Sequence, residues 1–216
     1  QIEESSDHIT ALSGPISFRL SSDAFVDAME PVLAESITDD VADRKRAYAD
    51  IPKVLEILRS RRKLYLERRP AKEIENFLHF VLIGRRELPS ELIRKRRSLA
   101  HKEIEHLMSL IENPPIGVQI GIVRDTLPHV GFQIFRQPER KVLVSSPFRL
   151  GGEPNIRVGV AMITSAPDAL SFHEAAINEM WGRALKGQAA IGLIATMLAT
   201  NASEPRKASV RRKRHF

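Results

Sequence analysis

In the stretch ITSAPDALSFHEAAINEMW, His173 and Glu174 are the residue types of a metal hydrolase: an imidazole to bind zinc and a carboxylate to take a proton. That chemistry needs a second histidine four residues after the first, so that both rings leave one face of a helix. Position 177 is Ile177, and the zinc-peptidase pattern fails. With Ile177 at zero and ~100° per residue, Leu170, Trp181 and Ala184 fall within about 40° of it, and His173 lies about 40° away on the same apolar face. A histidine there is expected to bond a backbone carbonyl in the core, with a ligand-facing hydrogen bond as the alternative.

Three other groups of residues are candidates for binding. Ser165 followed by Asp168 matches a capping pattern, and places Thr164 and Ser165 at a helix N-terminus, where free N–H groups and the helix dipole favour an anion. Arg149 stands just before Gly151 and Gly152; its guanidinium can hold a carboxylate or phosphate while the glycines let the backbone approach. His101, Glu105 and His106 lie on one helix; 101 and 105 share a face while 106 lies about 100° from 105, and all three are expected in solvent. No pair of carboxylates stands out for acid–base work, and neither a P-loop nor a G-x-G-x-x-G motif is present. Cysteine is absent, which removes thiol nucleophiles, disulfides and thiolate zinc sites and fits a reducing cytoplasm. No catalytic residue, metal ligand or cofactor is expected.

The elements that must position these residues follow from periodicity. Residues 1–17 read as a polar leader. Ser21-Ser22-Asp23 reads as a cap for a short helix bearing Phe25, Val26, Met29, Val32 and Leu33, kinked at Pro31. A second helix starts at Ile51-Pro52, carries Val54, Leu55, Leu58 and Tyr65, and is broken by Pro70. A third has its apolar stripe at Ile74, Phe77, Leu78, Val81 and Leu82. Ser90 is expected to cap a long helix to Glu112. Its Ile93/Ala100/Leu107 and Arg97/Ile104/Ile111 repeats predict a helical hairpin or a dimer seam.

After Asn113-Pro114-Pro115 the chain becomes rich in Val and Ile. The runs IGVQIGIVRD, VGFQIFRQP, RKVLVSS and NIRVGVAMITS predict four strands, with a hairpin turn at Gln137–Arg140. A helix over 166–186 and the apolar piece AAIGLIATMLAT follow, the latter too short to span a bilayer. The expected class is α+β: a basic helical half, then a small four-stranded, mostly antiparallel sheet with a packed helix. The expected divisions are an acidic leader 1–44, a basic helical linker or dimerisation region 45–113, an α+β effector domain 114–200 and a disordered basic tail 201–216. The chain opens on Gln1 and not on Met, which points to an upstream segment.

Of the 216 residues, 43% are apolar, enough for a substantial core. The net charge of +6 is unevenly spread. Residues 1–43 hold ten acids and one base, residues 44–102 hold eighteen bases and seven acids, and the last twelve hold six bases and no acid. Segregation of this kind marks partner surfaces or mutual neutralisation rather than a fold. Arg94, Lys95, Arg96 and Arg97, with Arg211, Arg212, Lys213 and Arg214, are the candidate nucleic-acid contacts. Phosphate contacts need only such side chains and give little sequence preference.

The run GIVRDTLPHVGFQIFRQPERKVLVSSPFRLGGEPNIRVGVAMITSAPDALSFHEAAINEMW resembles the C-terminal effector region of bacterial transcription regulators with an XRE-type helix-turn-helix. The preceding AYADIPKVLEILRSRRKLYLERRPAKEIENFL is similar to the helical linker of such proteins, so the resemblance covers roughly residues 45–185. It implies sensing and oligomerisation rather than catalysis. With the apolar repeats, the lack of cysteine and of a membrane-spanning run, and the anion-binding candidates above, the expected protein is a cytoplasmic homodimer that acts on DNA, takes a small anionic metabolite and does not enter a membrane. A helix-turn-helix is not found in the chain; the nearest pairing joins helices 72–83 and 90–112 through a connection of about six residues, longer than the usual 3–4. Either the reading head lies upstream of Gln1, or the chain is an accessory form without one. The competing readings are a nucleic-acid-binding protein acting through its basic helices and tail, and an enzyme of unknown reaction.

Overall fold

The structure, a computed structural model, describes residues 2–12, 20–28, 65–80, 88–124, 131–148 and 160–203. Val118, Ile120 and Ile122 alternate with Gln119 and Gly121, the period-2 pattern of a strand, and this segment is the edge strand β3 (Val118–Val123) of a six-stranded sheet. The other strands are β1 (His8–Leu12), β2 (Tyr65–Pro70), β4 (Phe132–Arg136), β5 (Lys141–Phe148) and β6 (Val160–Thr164). Their order is β3-β2-β1-β4-β5-β6. The β3-β2-β1 half is parallel and the β1-β4-β5-β6 half antiparallel.

The four helices are α1 (Ala71–Phe80), α2 (Ser90–Glu112), α3 (Pro167–Arg183) and α4 (Gly187–Ser203); residues 23–28 are also helical. The α+β class and the four strands of the second half are as expected. Gln137 N–H donates to Arg140 O at 2.8 Å, closing the β4–β5 hairpin at the expected place.

Two strands were not expected. Residues 8–12, read as part of a leader, form β1, paired on both sides with Ile9, Ala11 and Leu12 buried. Five residues carry too little periodicity to announce a strand; the partners decide it. Residues 65–70, read as the end of a helix, form β2 between β1 and β3. Pro70 does end that element, but it closes a strand and leads into α1. A fixed φ and a missing N–H suit either junction. β1 and β2 thus bring residues from before 113 into the sheet with the later strands. Residues 51–64 of the expected second helix, the Pro31 kink and the tail from 204 onward lie outside the described residues, while residues 201–203 belong to α4 and not to a tail.

The sheet is covered on both faces. On one, Val118, Ile120 and Ile122 pack with Phe25, Ile74, Leu78, Ala100, Ile104, Leu107 and Ile194, a core shared by α1, α2, α4 and residues 23–28. Fully buried Phe25, Ile74, Leu78, Ile104 and Ile194 each contribute ~1.5–3 kcal/mol. On the other face, α3 sets Ile177, Met180 and Ala184 on Leu12, Val123, Phe132, Ile134 and Leu143.

The chain changes face at the β3 edge. Leu185 exchanges two backbone hydrogen bonds with Ile122, at 2.8 and 2.9 Å, and Gly187 with φ +50° turns the chain into α4. That left-handed conformation is one glycine adopts without a Cβ clash.

The apolar repeat of α2 is covered by its own chain: Ala100, Ile104, Leu107 and Ile111 are buried in the core just described. The expected seam on that strip is therefore an intramolecular one. Ser90 does not cap α2; Pro89 stands at the cap position, and no side chain bonds the first turn.

Candidate functional site

The β6–α3 junction places Thr164 and exposed Ser165 just before α3, and His173 within that helix. Pro167 occupies the first position of α3, and the helix has no side-chain cap, so the expected Ser165–Asp168 capping box does not form. Thr164 Oγ1 instead accepts the Ala166 N–H at 3.1 Å, a local serine/threonine turn. Pro167 has no N–H, and Asp168 puts a carboxylate in the first turn; both disfavour an anion there. His173 Nδ1 donates to Ala169 O at 2.7 Å, and its ring meets Phe132 edge-on at 4.6 Å. This is the expected core histidine, held by the carbonyl one turn earlier. Arg149, Gly151 and Gly152 lie outside the described residues.

α3 is fixed from both ends. Lys141 Nζ reaches Glu174 Oε1 at 2.6 Å, tying the helix to β5. At the other end the Trp181 ring lies on β3 where only glycine fits: a Cβ on Gly121 would come within 2.7 Å of the ring and 2.9 Å of Ala184 Cβ. Lys186 Nζ sits 4.4 Å from the Trp181 ring centroid and donates to Trp181 O at 2.7 Å.

The basic run of α2 is split by its helix position. Arg94, Lys95 and Arg97 are exposed, whereas Arg96 is 5% exposed. Arg211, Arg212, Lys213 and Arg214 lie outside the described residues. Glu105 is exposed, but His101 and His106, expected in solvent, are half-buried and bonded. His106 Nε2 donates to Leu20 O at 3.1 Å.

His101 leads to a polar cluster that joins three helices. Asn201 on α4 accepts from His101 Nε2 of α2 at 2.9 Å through Oδ1, and donates through Nδ2 to His79 Nδ1 of α1 at 3.2 Å. The Asn201 amide has one accepting and one donating end, so it assigns these roles: Nε2–H on His101 and an unprotonated Nδ1 on His79. Beside this bridge, a cleft of about 290 Å³ opens between α1 and α4. Glu75, His79, Thr200 and Asn201 supply polar walls over a floor of Leu78, Leu193 and Met197.

Sequence reasoning missed this cluster because its bonds join residues 100 and 122 positions apart. A faint signal was present: Asn201 is a side-chain amide directly after the apolar run AAIGLIATMLAT.

Among the described residues no group of three or more His, Asp or Glu side chains is placed to hold a metal, and no helix is long and apolar enough to cross a membrane. Comparisons of the chain with family models, curated proteins and solved structures find no match.

Proposed function

We propose that the chain is the effector part of a cytoplasmic bacterial transcription regulator, with the α1–α4 cleft as its small-molecule site. The observation that supports this is the pair of hydrogen bonds from Asn201. A side chain in the wall of the cleft is bonded to α2 through His101, one to two turns from the exposed Arg97, Lys95 and Arg94. A ligand that moves Asn201 acts on the helix carrying the basic surface. That supplies the two sites and the shared element that allosteric coupling requires. DNA contact would come from this basic surface or from a reading head on another segment. The anion expected from the sequence would fall to the Arg149–Gly152 loop, since the α3 N-terminus is poorly suited to it.

The exposed face of α2 also favours the second reading, sequence-independent binding to nucleic acid. Both readings are tested by fluorescence anisotropy of a labelled duplex against KCl concentration. Replacing Arg94, Lys95 and Arg97 by Ala lowers affinity alike for all sequences and reduces the salt slope by about 0.9 for each lost phosphate contact. Under the effector reading, a cleft ligand shifts the affinity by about 5–150-fold, and Asn201→Ala removes the shift. Duplex affinity indifferent to every cleft ligand leaves only the second reading.

A second copy of the chain is the proposed partner, through the sheet edge at β6. Met162 and Ile163 on that edge strand are 58% and 59% exposed, and Phe172 on α3 is 72% exposed. β6 carries no charged residue, the usual guard against edge pairing. Antiparallel pairing of β6 with its copy would satisfy the edge under a two-fold axis.

A further inference from the structure

We propose that the cleft between α1 and α4 takes a small organic ammonium. Its charged head would sit at Glu75 and its apolar body on Leu78, Leu193 and Met197. The inference rests on the effector reading of the same cleft and names the class of its ligand.

Charge comes first. Among the described residues that line the cleft, Glu75 is the one ionisable acid, and none is a lysine or arginine. An anion entering here would meet that carboxylate and no cationic side chain among the described lining residues, whereas an ammonium meets a charge-assisted acceptor.

Hydrogen-bonding capacity points the same way. The Thr196 hydroxyl donates to Gly192 O and the Thr200 hydroxyl to Thr196 O, both at 2.9 Å. With its proton committed to the helix, the Thr196 hydroxyl oxygen offers lone pairs to the cleft. A guest with several N–H donors and no strong acceptor matches such a lining.

The chain already places an ammonium on this carboxylate. Lys72 Nζ lies 3.0 Å from Glu75 Oε2, one helical turn away and well exposed. Such surface pairs are held weakly, so Lys72 marks the geometry an incoming ammonium would adopt without barring it. The volume, about 290 Å³, lies near the small end of the ~300–1,000 Å³ range of ligand sites, which suits a short body.

The test uses n-butylammonium, n-butanol and butyrate, three probes of similar length with a positive, a neutral and a negative head. They are titrated calorimetrically into the full chain at constant ionic strength. Butylammonium is expected to bind saturably, about tenfold or more tighter than butanol, and butyrate is expected not to bind. Glu75→Gln should remove the advantage of butylammonium over butanol, and Lys72→Gln, which removes the resident ammonium, should tighten butylammonium. Circular dichroism of both variants checks that the helices persist; should Glu75→Gln unfold, Glu75→Asp gives the same comparison.

Equal affinity for the ammonium and the alcohol, binding of butyrate, no binding of any probe, or a preference unchanged in Glu75→Gln overturns the proposal. Amide hydrogen exchange of α2, read in the same samples, separates it from the effector reading. Butyrate binding with protection in α2 keeps the effector reading and removes the ammonium. Glu75-dependent butylammonium binding with α2 unaffected keeps the ammonium site and removes the effector reading.

Discussion

The Ser22 hydroxyl donates to Glu103 Oε2 at 2.6 Å, and the Ser22 N–H reaches both carboxylate oxygens at 3.2 Å. The same hydroxyl oxygen accepts the Phe25 N–H at 3.1 Å, so one serine caps residues 23–28 and fastens them to α2 across 81 residues of sequence. The anchor is costly on one side, because Glu103 is 3% exposed. Burial raises its pKa above the ordinary carboxylate value, against the opposing bonds from Ser22 and Ser21 and the charge of His106.

That shift sets a pH dependence. A carboxylate whose pKa is raised on folding binds more protons in the folded than in the unfolded chain, so stability falls as pH rises through the window that starts near the ordinary value of about 4.3. Its contribution is fully present below that value and lost above the raised pKa. Glu103→Gln, which cannot ionise, should remove this fall in stability as pH rises above the ordinary carboxylate value. Denaturant titrations at a series of pH values check it; parallel profiles for the two proteins would contradict the assignment.

Gly121 is a second fixed point. A methyl group there meets both the Trp181 ring and Ala184 Cβ, and the latter moves only with the helix backbone. Gly121→Ala should destabilise by about 1–3 kcal/mol, as overpacking does, and should shift the tryptophan fluorescence as α3 lifts. An unchanged spectrum with unchanged stability would show that α3 does not rest on β3.

Trp181 and His173 separate packing from chemistry. Trp181 is half-buried, so Trp181→Ala should cost about 2–4 kcal/mol, at or below the figure for a fully buried ring. His173→Gln keeps a donor for Ala169 O and loses the edge contact with Phe132, at a cost on the order of 1 kcal/mol. Thermal and denaturant unfolding measure both. A His173 variant destabilised as much as the Trp181 variant would make the imidazole a principal anchor of the helix.

Assembly is checked by light scattering. The proposed β6 edge pairing predicts a dimer mass at tens of micromolar protein. Ile163→Lys, which puts a charge on the exposed edge, should return the monomer with an unchanged melting temperature. A dimer that survives Ile163→Lys places the interface elsewhere.

The sequence by itself determined the elements whose signal is local. The stripe Ile74–Phe77–Leu78, the turn Gln137–Arg140, the Val- and Ile-rich strands and the apolar face of α3 each announce themselves within a few residues, because side-chain period and turn chemistry are properties of adjacent positions. The core role of His173 was legible for the same reason: its carbonyl partner lies four residues away.

Only the tertiary structure decided the rest. β1 and β2 are strands because partners more than fifty residues away complete their hydrogen bonds. The heptad-like strip of α2 reads alike whether covered by a second copy or by α1 and α4, and the fold chose the latter. The Asn201 bridge, the Glu75 cleft and the Ser22–Glu103 anchor join residues that no periodicity relates. A hydrogen bond between distant residues leaves no pattern along the chain; it exists only once the intervening helices are packed.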